Sequence, residues 1–402
     1  MNASLIKELS EESAQRLLEE HAHLSPAEFA LKLSGKTEHP IAELSALLDC
    51  YQRAASKFPS LHTSGLMYTR KAIEQSSGEA LMNFKSQRYS GKLALDLTGG
   101  LGMDSIAFHK SFETVLYTEP DTIPFELAKH NHHVLGISNI DHHQKRAEEI
   151  LHSEIEDVDL IYFDPSRRDE NQRFVRLSDC EPDVIALWPK LTSLAGKIAV
   201  KLSPMYDLKQ LERELPGLSK ILVISVRGEV KEIIAEWDQD IPKKPEIAAI
   251  LLNDEGEIVY KAESQKSLSD FRLDDCKINA GDFLLEPDAA IIKAQLSDYI
   301  SDDFNAIKFT QRVDYLISKK QPEYFPGTVY RIREILPFKP KILKKYLRQH
   351  HLEKVHIHKR DFPKTVAQLF KDFRLQMGEQ AHLIFTTNAQ GELICIIGDR
   401  VG

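Results

Sequence analysis

The residues with most chemical potential lie in one stretch, Asp96-Leu97-Thr98-Gly99-Gly100-Leu101-Gly102-Met103-Asp104, where the apolar run Leu93-Ala94-Leu95 ends in a carboxylate and a glycine loop. Glycines let a backbone turn sharply and approach a ligand, and a helix starting beyond them offers free N–H groups. Nicotinamide-dinucleotide enzymes also use a glycine loop, but theirs, G-x-G-x-x-G, follows its strand directly and cradles a pyrophosphate. Here Asp96 would repel a pyrophosphate, so the loop suits a cationic ligand. Glu119, 23 residues after Asp96, closes a second apolar run, Val115-Leu116-Tyr117. An acidic residue there can accept hydrogen bonds from two ribose hydroxyls. A lone glutamate could equally cap a strand, but the glycine loop at this spacing favours the ribose.

Two further strand ends carry polar groups. Leu160-Ile161-Tyr162-Phe163 runs into Asp164-Pro165-Ser166-Arg167-Arg168, and Ile198-Ala199-Val200 runs into Lys201-Leu202-Ser203. Arg167 and Arg168 either hold a phosphate bidentately or are solvated loop arginines. Lys201 and Ser203 either line a substrate pocket or cap their strand. His130, His132, His133, His142 and His143 cluster in sequence, but a metal-binding helix needs i, i+4 histidines with a carboxylate or cysteine ligand nearby, which is missing, so no metal is expected.

The elements that must position these groups follow from periodicity. Over the first 60 residues, Leu5, Leu9, Leu17, Leu18, Phe29, Leu33, Leu44, Leu47 and Leu48 recur at helical spacing, and Ser25-Pro26-Ala27-Glu28 reads as a helix start. From about residue 90, short runs apolar on both faces alternate with helical stretches, the mark of βαβ units and a covered parallel sheet. Ile221-Leu222-Val223-Ile224 is a fifth such run; Gly228-Glu229 reads as a turn before a helix over Ile233 to Trp237; and residues 247–252 and 258–260 form a closing hairpin. A helical stretch is expected over Ala289 to Tyr299, and Pro322, Pro326 and Gly327 punctuate the chain before a basic region. The expected organisation is a helical segment (1–60), an α/β domain (61–262), a small α+β, ferredoxin-like connecting element (263–326) and a basic domain (327–402).

Across 402 residues, 42% hydrophobic and 28% charged, no run of 18 apolar residues occurs, which excludes a transmembrane helix and bulk disorder. The acidic N-terminus lacks a signal-peptide pattern, so a cytoplasmic location is expected. Cys50, Cys180, Cys276 and Cys395 form no C-x-x-C pair and read as reduced thiols. The net charge of -9 hides an asymmetry: residues 331–376 hold thirteen Lys and Arg against four Asp and Glu, a local +9, leaving -18 on the rest. Lys341, Lys344, Lys345, Arg348 and Arg360, interleaved with Tyr346, Phe362 and Phe370, point to phosphate contact and RNA binding.

The pattern D-x-T-G-G-x-G-x-D resembles the first motif of class I S-adenosylmethionine-dependent methyltransferases, whose cofactor carries sulfonium and amino cations. The Met67-Tyr68-Thr69-Arg70 and Ala72 to Glu79 segments, D-P-S-R-R-D at Asp164, Val200-Lys201-Leu202-Ser203-Pro204, Val226 to Glu232 and the basic tail are similar to bacterial members with a C-terminal THUMP-like domain. The resemblance implies a Rossmann-like methyltransferase domain with small α+β C-terminal domains. It implies cofactor contacts from Gln75, Asp96, Thr98, Gly99, Gly100, Gly102, Asp104, Glu119 and Ala147, and a catalytic set of Asp164, Pro165, Arg167 and Lys201. THUMP domains of RNA-modifying enzymes engage tRNA, so the implied activity is methylation of RNA, tRNA foremost. The G-L-G-x-D segment is also similar to a 16S rRNA guanine-N2 methyltransferase family, which leaves rRNA as an alternative, alongside a non-catalytic RNA-binding protein retaining the fold. Two departures stand out. Ser166 and Arg167 replace the proline and aromatic that amine methylases place after D-P, and Lys145-Arg146-Ala147-Glu148 replaces Gly-Asp-Ala, leaving adenine to the backbone near Ala147.

Overall fold

The computed structural model describes residues 3–62, 65–152, 155–167, 176–241, 245–264 and 278–401. The chain divides into two compact units: Met1–Leu222 with Glu232–Pro245 and Leu252–Val259, and Val223–Lys231 with Glu246–Leu251 and Tyr260–Gly402. No helix among the described residues is long and apolar enough to cross a membrane. Cys50, Cys180 and Cys395 are buried and form no disulfide, and Cys276 lies outside the described residues.

The N-terminal helices form as their leucine spacing predicts. Ser25 caps the helix Pro26–Leu33: its Oγ accepts from the Glu28 N–H at 3.3 Å, and the Glu28 carboxylate accepts from the Ser25 N–H at 2.9 Å, a capping box with proline in the first turn. These helices are not a body apart from residue 61 onward. Leu9, Phe29, Leu44, Leu47 and Leu48 share one core with Met103, Ile106 and Leu127, and burying each such leucine contributes about 1.5–3 kcal/mol. The helical segment therefore braces the helix that follows the glycine loop.

The first sheet is built from β1 (Gly91–Asp96), β2 (Phe112–Thr118), β3 (Ile140–His143), β4 (Val158–Phe163), β5 (Ala195–Leu202), β6 (Lys220–Val226), β7 (Glu229–Asp238), β8 (Glu246–Leu252) and β9 (Ile258–Glu263). Its order is β9-β8-β6-β7-β5-β4-β1-β2-β3. Strands β3, β2, β1, β4 and β5 are parallel, and β7 returns antiparallel beside β5. The β8 and β9 runs lie where a closing hairpin was expected. The helix expected over Ile233 to Trp237 is instead part of β7. Arg227 and Gly228 both have positive φ, 54° and 78°, the two-residue turn that folds a chain straight back as a hairpin. The β-branched Val230, Ile233 and Ile234 then extend it.

The second sheet holds β10 (Phe283–Pro287), β11 (Ile307–Thr310), β12 (Val313–Ser318), β13 (Gly327–Pro337), β14 (His356–Lys359), β15 (His382–Thr387) and β16 (Leu393–Val401), in the order β11-β12-β10-β13-β16-β15-β14. The boundary expected near 327 falls inside this sheet, because β10 pairs with β12 on one side and β13 on the other. Residues 278–326 thus complete the same layer as the basic region. Helices Pro340–Gln349 and Val366–Phe373 lay Leu343, Leu347, Leu369 and Phe373 on Leu383, Phe385, Cys395 and Ile397. The stretch expected as one helix from Ala289 is two short ones, Ala289–Lys293 and Ser297–Ser301.

Candidate active site

Strand register gathers the polar groups. Asp96 is the partner of Tyr162 across β1 and β4, and Tyr162 that of Ala199 across β4 and β5. Since side chains alternate along a strand, Asp164, two beyond Tyr162, and Lys201, two beyond Ala199, belong to the same face at the carboxyl ends of the strands. The Asp164 N–H donates to Thr98 Oγ1 at 2.6 Å, tying the end of β4 to the glycine loop. Lys201 Nζ donates to Asp164 Oδ2 in an ion pair. Burial opposes the Lys201 charge, but the carboxylates of Asp164, Asp104 and Glu232 outweigh it and raise its pKa.

The glycine loop is fixed from within. Asp96, 1% exposed, accepts from Ser105 Oγ at 2.6 Å and from the Thr98 N–H at 3.3 Å. Burial pushes its carboxyl up to about 7, and Asp104 and Asp164 nearby add to the rise against the Ser105 hydrogen bond. A Cβ on Gly99 would stand 2.1 Å from the Tyr117 ring, and one on Gly102 2.4 Å from His132, so both glycines are required by packing. Gly100 differs: its φ is +52°, and a Cβ there would meet only the Thr98 carbonyl oxygen at 4.0 Å. The backbone is bare on that side. Glu119 Oε2 accepts from the Gly100 N–H at 3.0 Å and Oε1 from the Asp121 N–H at 2.8 Å, which leaves lone pairs for two hydroxyls. Burial raises the Glu119 pKa. His132 supports the loop from beneath, with Nε2 3.2 Å from the Gly102 carbonyl and Nδ1 2.8 Å from His142 Nε2. Burial drives its pKa down to about 3, so it acts as a neutral ring.

The remaining expected residues divide. Pro165 follows Asp164 at the site; Ser166 and Arg167 pair in a two-residue ladder with Cys180 and Glu181, and Arg168 lies outside the described residues. Ala147 is buried at the first position of helix Ala147–Leu151. Arg146 turns to Glu181 in an exposed ion pair. Gln75 ends the helix Arg70–Gln75 with its side chain exposed. Asp104, expected as a cofactor contact, has three protein partners. Its Oδ1 accepts from Lys85 Nζ at 2.8 Å, and its Oδ2 from Tyr162 OH at 3.0 Å and Ser77 Oγ at 3.2 Å, so its carboxylate is committed inside the protein. Lys85, Tyr162, Ser77 and Glu232 were not recognisable as site residues in the sequence; a lysine on the otherwise apolar buried side of helix Glu79–Arg88, with Leu81, Met82 and Phe84, was the available signal.

In the second unit, Lys341, Lys344, Lys345 and Arg348 follow i, i+3, i+4, i+7 spacing and form one exposed row, with Leu343 and Leu347 buried behind them. Arg360 does not join them. Its Nη2 and Nε donate to Glu286 Oε1 at 3.0 and 3.2 Å, and it is half-buried against Tyr315.

A sheet in this order, with a glycine loop after β1, an acidic residue after β2 and D-P after β4, is the fold of class I S-adenosylmethionine-dependent methyltransferases. The C-terminal part of the chain is THUMP-like: residues 327–400 match the family described as THUMP domain-like. Nearly the whole chain is similar to a candidate methyltransferase from Porphyromonas gingivalis W83, with 26% identity over 96% of this chain and 97% of that one and a TM-score of 0.80. More remote matches include an rRNA methylase from Streptococcus thermophilus (14% identity, 39% of this chain and 93% of that chain, TM-score 0.29). Another is the TrmK protein of M. capricolum in complex with S-adenosyl-homocysteine (9%, 40% and 69%, TM-score 0.32). No curated protein matches the chain.

Proposed function

We propose that the chain transfers the methyl group of S-adenosylmethionine to RNA, with tRNA as the substrate class. The observation that carries this is the presence in one chain of a glycine loop bare at Gly100 between Asp96 and Glu119, and of a basic helical row in a THUMP-like domain. The cofactor supplies an already activated methyl on a sulfonium. The chain's residues bind and orient: Glu119 accepts the ribose hydroxyls, Asp96 faces the cationic end, and the open backbone at Gly100 allows close approach. Asp164, held at one oxygen by Lys201, presents the other to the acceptor and takes up its proton where the acceptor carries one. Without an aromatic after D-P, base stacking at this motif is absent from the recognition, and the basic row holds the RNA through its phosphates.

Nucleoside mass spectrometry on separated tRNA and rRNA from a deletion strain tests this. A methylated nucleoside lost from tRNA and restored by the wild-type gene, but not by Asp164→Ala, is expected. Loss from rRNA alone would replace the substrate class, and unchanged methylation in both would reject the proposal.

A further inference from the structure

Lys85 is completely buried, and its ammonium has more partners than protons. Nζ lies 2.8 Å from Asp104 Oδ1, 2.9 Å from Ser77 Oγ, 2.9 Å from Tyr162 OH and 3.2 Å from Glu232 Oε2. These partners come from the helix after the glycine loop, the segment following Gln75, β4, which leads into Asp164, and β7. Glu232 Oε1 is buried with no hydrogen-bond partner. Apolar side chains of similar volume in place of the whole cluster of Lys85, Asp104 and Glu232 would avoid the desolvation of its charges, so stability alone does not account for an ionic cluster here.

The register connects this cluster to the site. Lys201 is paired with Ile234 across β5 and β7, so Glu232, two residues before Ile234, shares its face as a diagonal neighbour. Charges therefore alternate from the surface inward: Asp164, Lys201, the Asp104 and Glu232 pair, then Lys85. Two carboxylates lie between two lysines. With Lys85 gone, Lys201 would be the nearest cation left to both, and Asp104 and Glu232 would draw it from Asp164.

We infer that Lys85 is a positioning residue for methyl transfer, which balances Asp104 and Glu232 so that Lys201 stays on Asp164. The kinetic part of this inference rests on the proposed activity, whereas the geometric part does not. The direct test is a crystal structure of full-length Lys85→Met, with Lys201 Nζ expected beyond hydrogen-bond reach of Asp164 and turned toward Glu232. Methyl incorporation from labelled S-adenosylmethionine into bulk tRNA of a deletion strain should show kcat lower by tenfold or more, with the cofactor KM within threefold. Lys85→Met/Glu232→Gln, which removes one charge of each sign, should return Lys201 to Asp164 and recover most of kcat. Should the single variant fail to fold, the double variant and Glu232→Gln alone remain readable, and both should keep the Lys201–Asp164 pair. Lys201 found on Asp164 in Lys85→Met, or no recovery in the double variant, would overturn the inference. No incorporation by the wild type would reject the RNA reading while leaving the crystallographic result to decide the role of Lys85.

Discussion

Lys85 and Lys201 lie under the carboxyl ends of the first sheet with side chains 0% and 13% exposed, whereas Lys341, Lys344, Lys345 and Arg348 stand in solvent on a helix of the second unit. The same residue type does different work in the two places. The buried lysines are matched to particular carboxylates, Lys85 to Asp104 and Glu232 and Lys201 to Asp164, and their value lies in fixed geometry. Breaking such a pair by removing one partner costs about 3–5 kcal/mol, because a bare charge is left behind. The exposed row gains nothing comparable from its surroundings, since surface ion pairs contribute about 0–1 kcal/mol. Its value lies in the potential it projects toward a polyanion. Chemistry and affinity should therefore be separable by mutation.

The largest effect is expected at the site. Asp164→Ala should lower turnover by about a hundredfold or more while leaving S-adenosylmethionine affinity within a few fold in calorimetry. Equal losses in both would merge the roles that the comparison keeps apart. Next in size, replacing Lys341, Lys344, Lys345 and Arg348 together with alanine should weaken tRNA binding and flatten the log-affinity against log-salt slope by about 2–4. Cofactor affinity should be unchanged, and an unaltered slope would remove the row from RNA contact. Cutting the chain at residue 327 is a poor substitute, because it would strip β13 from β10 and leave half a sheet.

Smaller effects sharpen the cofactor side. Glu119→Ala should weaken S-adenosylmethionine by about 1–3 kcal/mol, the cost of stranding buried polar groups. The weakest expected effect is a pH dependence. Burial raises the Asp96 carboxyl to about 7 from the ordinary 3.8, so between those values the folded protein retains a proton that the unfolded chain has lost. Asp96 thus opposes folding increasingly as pH rises through that window. A cationic ligand prefers the carboxylate, so its affinity should move the other way, rising as pH increases and levelling off above 7. Calorimetry at pH 6 should give affinity about tenfold weaker than at pH 8, and Asp96→Asn should remove the dependence. An equally steep dependence in that variant would assign it elsewhere.

The sequence carried the parallel strands clearly, because Leu93-Ala94-Leu95 and Leu160 to Phe163 are apolar on both faces and end in isolated acids. It concealed β7, since Glu229 to Trp237 mixes charged and apolar residues in a way that fits a helix until the Arg227-Gly228 turn is known. The buried cluster was illegible for a different reason. Lys85 meets residues 8, 19, 77 and 147 positions away, and no local spacing announces such a meeting. The partner of Arg360 was hidden on the same account: charge density counted it with the row, while Glu286, 74 positions earlier, pairs with it. The helical row itself was readable, because i, i+3, i+4, i+7 spacing is local.

The most direct test of methyl transfer to RNA is incorporation of label from methyl-tritiated S-adenosylmethionine by the purified full-length protein into tRNA from a deletion strain. Label should enter that tRNA to near-stoichiometric extent, enter tRNA from the parent strain far less, and be absent with Asp164→Ala. Equal labelling of both tRNAs, or none of either while the cofactor binds, would contradict the account.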